Sequence, residues 1–174
     1  MPGKLTYFPL GIRAEPIRAV LYFANQQYED NRISQEEFGR IKSTLPLGSL
    51  PIWEEDGTTI AQSGAILRMV GIRHGFYTTD PSIAWEIDSL IDFMEENYND
   101  SIGVPFKIMS QAQPTDEDKQ KFTAYFDKMI PFLNTRLENH GKRWIAGTET
   151  PTIADFKVYQ GLLMKLEIDI CPIP

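Results

Sequence analysis

The chain has 174 residues and a formal net charge of −7, a length that holds one domain or two small ones at about 100–200 residues each. Its hydrophobic and charged fractions, 42% and 24%, exclude fibrous and disordered classes, and no apolar run approaches the ~20 residues of a membrane span. A single cysteine, Cys171, two histidines, His74 and His140, and an N-terminus without the layout of a signal peptide exclude a disulfide framework and a Cys- or His-rich metal site, and point to a reducing compartment, the cytoplasm.

The first half alternates short strand-like and helix-like segments. Residues 4–8 (KLTYF) alternate and read as a strand. Residues 13–25 place Ala14, Ile17, Val20 and Leu21 at helical spacing, with Pro16 in the first turn, where its missing N–H costs nothing. Residues 28–33 read as a short strand and 35–44 as a modest helix ending before Leu45-Pro46. Residues 50–54 and 58–61 flank Glu55-Asp56-Gly57, and Asp-Gly between apolar runs signals a hairpin. Ser63 is expected to cap a helix of about ten residues carrying Ile66, Leu67 and Val70 on one face.

Near Asp80-Pro81 the composition shifts. Residues 1–79 carry eight basic and eight acidic side chains, and residues 80–174 carry nine and sixteen. A boundary is expected there, giving domains 1–79 and 80–174. A neutral first half and an acidic second half exclude nucleic-acid binding, which needs clustered Lys and Arg. The second half reads as helices alone, over 82–110, 115–139 and 152–168. Thr115-Asp116-Glu117-Asp118 places acidic residues against the positive end of a helix dipole, and Thr152-Ile153-Ala154-Asp155 is a capping pattern before an apolar run. The row Asp88, Asp92, Glu96 and Asp100 recurs at four-residue steps, either as a solvated helix face or as ligands for a divalent cation.

Three places could carry chemistry. Tyr7 ends a strand, and a helix begins near Arg13. A phenol there could donate to a bound thiolate within a positive potential, or Tyr7 could be a half-buried strand aromatic. Gln62-Ser63 opens a helix whose N–H groups suit a ligand carboxylate, or Ser63 acts as a cap alone. Leu50-Pro51 begins a strand, where proline is confined to an edge, a first position or a cis turn. A cis bond would leave the Leu50 backbone available to an extended peptide. Phosphate-loop, dinucleotide, nucleophile-elbow and Cys-x-x-Cys patterns are absent from the sequence.

Together these residues resemble cytosolic glutathione S-transferases with a catalytic tyrosine. Lys4-Leu5-Thr6-Tyr7-Phe8 followed by Arg13-Ala14-Glu15 is similar to the opening of that family. Ile41 to Pro46, Leu50-Pro51-Ile52, Asp56-Gly57 and Gln62-Ser63 follow in its order and spacing, and Thr152 to Asp155 matches its capping box. The class most similar is sigma, which includes glutathione-dependent prostaglandin D synthases. The resemblance implies a thioredoxin-like α/β domain, then an all-α domain, in a homodimer. It implies glutathione as co-substrate, with Tyr7 bonding its sulfur and Arg13 supporting the field. Lys42 would meet the glycine carboxylate, while Leu50 would pair with the cysteinyl unit, with Pro51 in cis. Gln62 and Ser63 would hold the γ-glutamyl end, and Asp92 would reach the tripeptide bound by the partner subunit. Phe8 and Phe38 complete the implied substrate-binding set, and the reaction is attack of the thiolate on a small electrophile.

The sequence also departs from the family pattern. Phe38 replaces a tryptophan and Ser49 a lysine, removing a donor and a cation from the carboxylate end. Ile91 stands where synthases of the class carry a metal-linked acid, so no metal is expected. The chain ends after the capping-box helix, which implies a helical domain shortened at its C-terminus, with its electrophile pocket open, closed by a partner or no longer used. These departures motivate a second expectation: a non-catalytic structural or interaction subunit of a larger assembly.

Overall fold

The computed structural model describes residues 2–109, 112–141 and 143–170, without the side chains of 98–101, 106, 109 and 166–170. They divide into two compact units, 1–78 and 79–174.

The first unit runs β1 (Lys4–Tyr7), α1 (Glu15–Phe23), β2 (Glu29–Arg32), α2 (Gln35–Ile41), β3 (Ile52–Glu55), β4 (Thr58–Ala61) and α3 (Ser63–His74), with a 3-10 turn over Lys42–Thr44. The strands form one mixed sheet in the order β2-β1-β3-β4. β1 is parallel to β2 and antiparallel to β3, and β3 and β4 form an antiparallel hairpin. With its helices this is a thioredoxin-like domain. The central strand is buried on both faces: Leu5 and Tyr7 on one, Thr6 on the other, its hydroxyl accepting from Asn31 Nδ2 at 3.1 Å. Ile17, Val20 and Leu21 of α1 and Ile66, Leu67 and Val70 of α3 are buried. Asp56 and Gly57 both take positive φ (48° and 76°), the type I′ geometry that matches the twist of a two-residue hairpin.

Four sequence expectations shift here. The strands expected at 4–8 and 28–33 each end one residue early, the second also begins one residue late, and α1 starts at Glu15 rather than near Arg13. The helix expected over 35–44 tightens into a 3-10 turn after Ile41, with Thr44 Oγ1 donating to the Ile41 carbonyl at 2.7 Å. Ser34 caps α2 in a complete capping box: Glu37 N–H donates to Ser34 Oγ at 3.1 Å, and Ser34 N–H to Glu37 Oε2 at 2.7 Å. Ser63 is not the N-cap of α3 but its first helical residue. Gln62 occupies the cap position with φ 77° and ψ 113°, and its side chain makes no capping bond.

The second unit contains α4 (Pro81–Glu96), α5 (Tyr98–Met109), α6 (Asp116–His140) and α7 (Ile153–Ile170). The single helix expected over 82–110 is two. Asn97 turns its side chain back onto the Phe93 carbonyl (2.7 Å), where its own N–H also donates (3.2 Å), and this competition ends α4. Ile87, Leu90, Ile91 and Met94 of α4, Phe122, Tyr125, Phe126, Met129 and Leu133 of α6, and Ile153, Ala154 and Phe156 of α7 are buried. Thr115 and Asp118 form the second capping box. Lys107 and Thr115 together hold the Asp118 carboxyl well below the usual carboxylate range. Asp155 accepts from Thr152 N–H (2.7 Å), Thr152 Oγ1 (3.0 Å) and Ile145 N–H (2.9 Å), tying the preceding loop to the start of α7. The expectations for Cys171 and the last residues lie outside the described residues.

Candidate functional site

Sheet register brings the candidate residues of the first unit to one end. Thr6 pairs with Ile52, and Ile52 with Ala61. The next residue along each strand in that direction is Tyr7 on β1, Pro51 before β3 and Gln62 after β4. Leu50 and Ser63 follow immediately. On the other side Tyr7 pairs with Arg32, and Ile33 N–H donates to the Tyr7 carbonyl at 2.9 Å, delivering the chain to Ser34 and α2. Residues separated by more than fifty positions therefore share one edge.

The Leu50–Pro51 peptide bond is cis, and Pro51 is buried, placing Leu50 beyond the last ladder pair. Of the three settings open to this proline, the structure realises the cis turn. Gln62 is exposed and holds left-handed φ, a conformation that costs a non-glycine residue of order 1–3 kcal/mol and clusters at ligand sites. Ser63 is buried at the first turn of α3, where backbone N–H groups lack helical acceptors.

Tyr7 is 5% exposed, its ring 5.4 Å from that of Phe8. Burial fixes the ring, and a hydrogen bond to a ligand requires only the hydroxyl. Phe8 in turn meets Phe38 edge-on at 5.4 Å, and Lys42 Nζ lies 5.8 Å from the Phe38 ring centroid. Tyr7, Phe8, Phe38 and Lys42 thus form one contiguous row. Arg13 is half-buried ahead of α1. Ser49 is exposed. Asp92 is exposed on α4, in the second unit.

Sequence reasoning missed Arg18. This 6%-exposed side chain donates to the carbonyls of Leu10 (2.9 Å) and Phe8 (3.3 Å), to Asp30 (3.1 Å) on β2 and to Glu15 (3.3 Å). Its guanidinium carbon lies 6.0 Å from the Tyr7 ring centroid. It clamps the loop that leaves the sheet after Tyr7. The available signal was an arginine on the apolar face of α1, four residues from Ala14 and three from Leu21. Among the described residues no group of three or more His, Cys, Asp and Glu side chains could hold a metal ion, and no helix is long and apolar enough to cross a membrane.

The chain is thus a thioredoxin-like domain with a cis-proline edge and a tyrosine at the end of its first strand, followed by a helical domain. The sequence profile of the glutathione S-transferase N-terminal domain matches residues 1–71. Human hematopoietic prostaglandin D synthase is 34% identical, over 90% of this chain and 76% of its own length. Glutathione S-transferase 1 of Ascaris suum is 29% identical, over 91% and 78%. A monomeric glutathione S-transferase from the hookworm Necator americanus, known from its crystal structure, superposes with a TM-score of 0.85 at 29% identity, over 99% of this chain and 87% of that one. The chain belongs to the glutathione S-transferase family.

Proposed function

We propose that the protein is a cytoplasmic glutathione transferase that forms the glutathione thiolate beside Tyr7 and joins it to small electrophiles. The convergence of Tyr7, Leu50-Pro51 and Gln62-Ser63 at one sheet edge carries this reading. In it, glutathione lies extended along that edge. The Leu50 backbone pairs with the cysteinyl unit, Gln62 and Ser63 take the γ-glutamyl carboxylate at the start of α3, and Lys42 takes the glycine carboxylate. The Tyr7 hydroxyl donates to sulfur. A donor and nearby positive charge favour the ionised thiol, so Arg13 lowers the thiol pKa and the proton leaves to solvent. The thiolate then attacks the electrophilic carbon. With an aryl chloride, a C–S bond forms, the C–Cl bond breaks and chloride departs. The protein supplies an ionised nucleophile and its placement rather than a covalent intermediate with its own side chains.

The working unit in this reading is a homodimer, in which Asp92 of each subunit reaches the γ-glutamyl amine held by the other. Calorimetric titration with glutathione, paired with a chlorodinitrobenzene conjugation assay, tests the proposal. Micromolar-to-millimolar binding and measurable conjugation are expected. Tyr7→Phe should lower kcat/KM by roughly 10- to 150-fold, the worth of one hydrogen bond to a charged group. Full turnover in Tyr7→Phe would remove the role given to that hydroxyl. No binding at several millimolar glutathione would instead favour the structural or interaction subunit that Phe38 and Ser49 suggest.

A further inference from the structure

The electrostatic setting of Lys42 differs from that of most basic side chains whose ion pairs are described in the first unit. Lys4, Arg18, Arg32, Arg40 and Arg73 each lie within ion-pair distance of a carboxylate. Lys42 has no carboxylate partner among the described residues, and its ammonium lies instead beside the ring of Phe38. The two glutamates nearest in sequence are engaged elsewhere. Glu36 pairs with Arg40 at 2.5 Å, and Glu37 is closed into the capping box with Ser34. The acids of α2 are thus spent within the helix, and the cation beside them is left unneutralised.

Phe38 has two contacts that matter. It meets Phe8 edge-on, and the Lys42 ammonium lies 5.8 Å from its centroid. None of the residues of α2 or the following 3-10 turn is buried, so the half-buried Phe38 ring is one of few side chains tying this segment to the sheet. We infer that Phe38 is a positioning residue: seated on Phe8, it holds the Lys42 ammonium near its ring, keeping one unpaired cation in place for the terminal carboxylate of the thiol substrate. A phenyl ring offers no N–H to that carboxylate, and Ser49 offers no charge, so recognition of this end of the substrate runs through Lys42. This inference rests on the glutathione reading for the identity of the anion, but the hold of the ring on the ammonium exists without ligand.

The test has a kinetic arm and a ligand-free arm. A cation–π contact at an exposed site is worth a factor of about two to five in an equilibrium. Phe38→Leu should therefore raise KM for glutathione about two- to fivefold with kcat unchanged, and Phe38→Tyr, which keeps the ring, should restore the wild-type KM. With the glycyl monoethyl ester of glutathione, whose terminal charge is removed, wild type and Phe38→Leu should share one KM. In the ligand-free protein, the Lys42 Cε protons should be ring-current shifted in wild type and in Phe38→Tyr but not in Phe38→Leu. An equal rise in KM for glutathione and its ester would make the ring a mere anchor of α2 and overturn the inference. Lys42 resonances indifferent to Phe38→Leu would overturn it too. Failure of the wild-type protein to bind glutathione while the Lys42 shifts behave as expected would sink the transferase reading and leave the positioning contact standing.

Discussion

At the residue scale, two side chains set how firmly the site end of the sheet is built. Arg18 is buried and fully occupied by two carbonyls of the β1–α1 loop and by Asp30 and Glu15. Replacing it by an apolar chain of similar length leaves those acceptors without their donor. Arg18→Met should cost about 2–4 kcal/mol in urea unfolding, because removing one member of a buried charged network strands the others. Gln62 presents the opposite case. Its φ of 77° is one a glycine would adopt freely, so Gln62→Gly should relieve strain of about 1–3 kcal/mol against an unfolded-state entropy cost of about 0.5–1 kcal/mol. A modest rise in Tm is expected, with a raised KM for glutathione as the Gln62 side chain is lost. A fall in Tm would show that the backbone at 62 is not strained.

At the element scale, the helix ends make a claim about pH. Backbone and side-chain hydrogen bonds from Ser34 hold the Glu37 carboxyl below its ordinary value of 4.5. A lowered folded-state pKa contributes stability that is present above the unfolded value and lost as pH falls through the folded one. The Ser34 amide resonance should therefore titrate with a midpoint below 4.5, and should stop titrating in Glu37→Gln, whose carbonyl still accepts the bond. A midpoint at or above 4.5 would mean that the box is not formed in solution. Some ends were legible because capping chemistry is local: Thr115 to Asp118, Thr152 to Asp155, Pro16 and Asp56-Gly57 each act on neighbours within four residues, whereas the Ser34 box, equally local, was passed over. The break at Asn97 was not legible, since four-residue periodicity continues straight across it, and only a side chain folding back onto Phe93 ends the helix. Ser63 was read as the cap because its residue type suits one, whereas Gln62 holds that position with a backbone angle no propensity suggests. The site was half legible for the same reason. Local chemistry named Tyr7, Leu50-Pro51 and Gln62-Ser63 separately, but their meeting is a matter of strand register, a non-local pairing that also hides Arg18, whose partners lie up to twelve residues away.

At the scale of the whole molecule, the open matter is whether each site is complete within one chain. A relative of 0.85 TM-score is monomeric, whereas Asp92 is given a task only across a subunit boundary. A two-fold dimer makes that task separable from Tyr7, because symmetry places each residue of one chain opposite its counterpart. Consider Tyr7→Phe chains mixed in equal amount with Asp92→Asn chains. In the mixed dimer, the site on the Asp92→Asn chain keeps its own Tyr7 and receives Asp92 from the other chain, while the second site has lost both. Random reassortment makes half the dimers mixed, each with one intact site, so the mixture should exceed the mean of the two parents by up to about a quarter of wild-type kcat/KM, the full quarter being reached when both parents are nearly inactive. The gain should appear only after dissociation and reassembly, and should fade on dilution below the dimer dissociation constant. A mixture that never exceeds the mean of its parents, together with a monomeric mass by light scattering, would place each site within a single chain and leave Asp92 no part in binding glutathione.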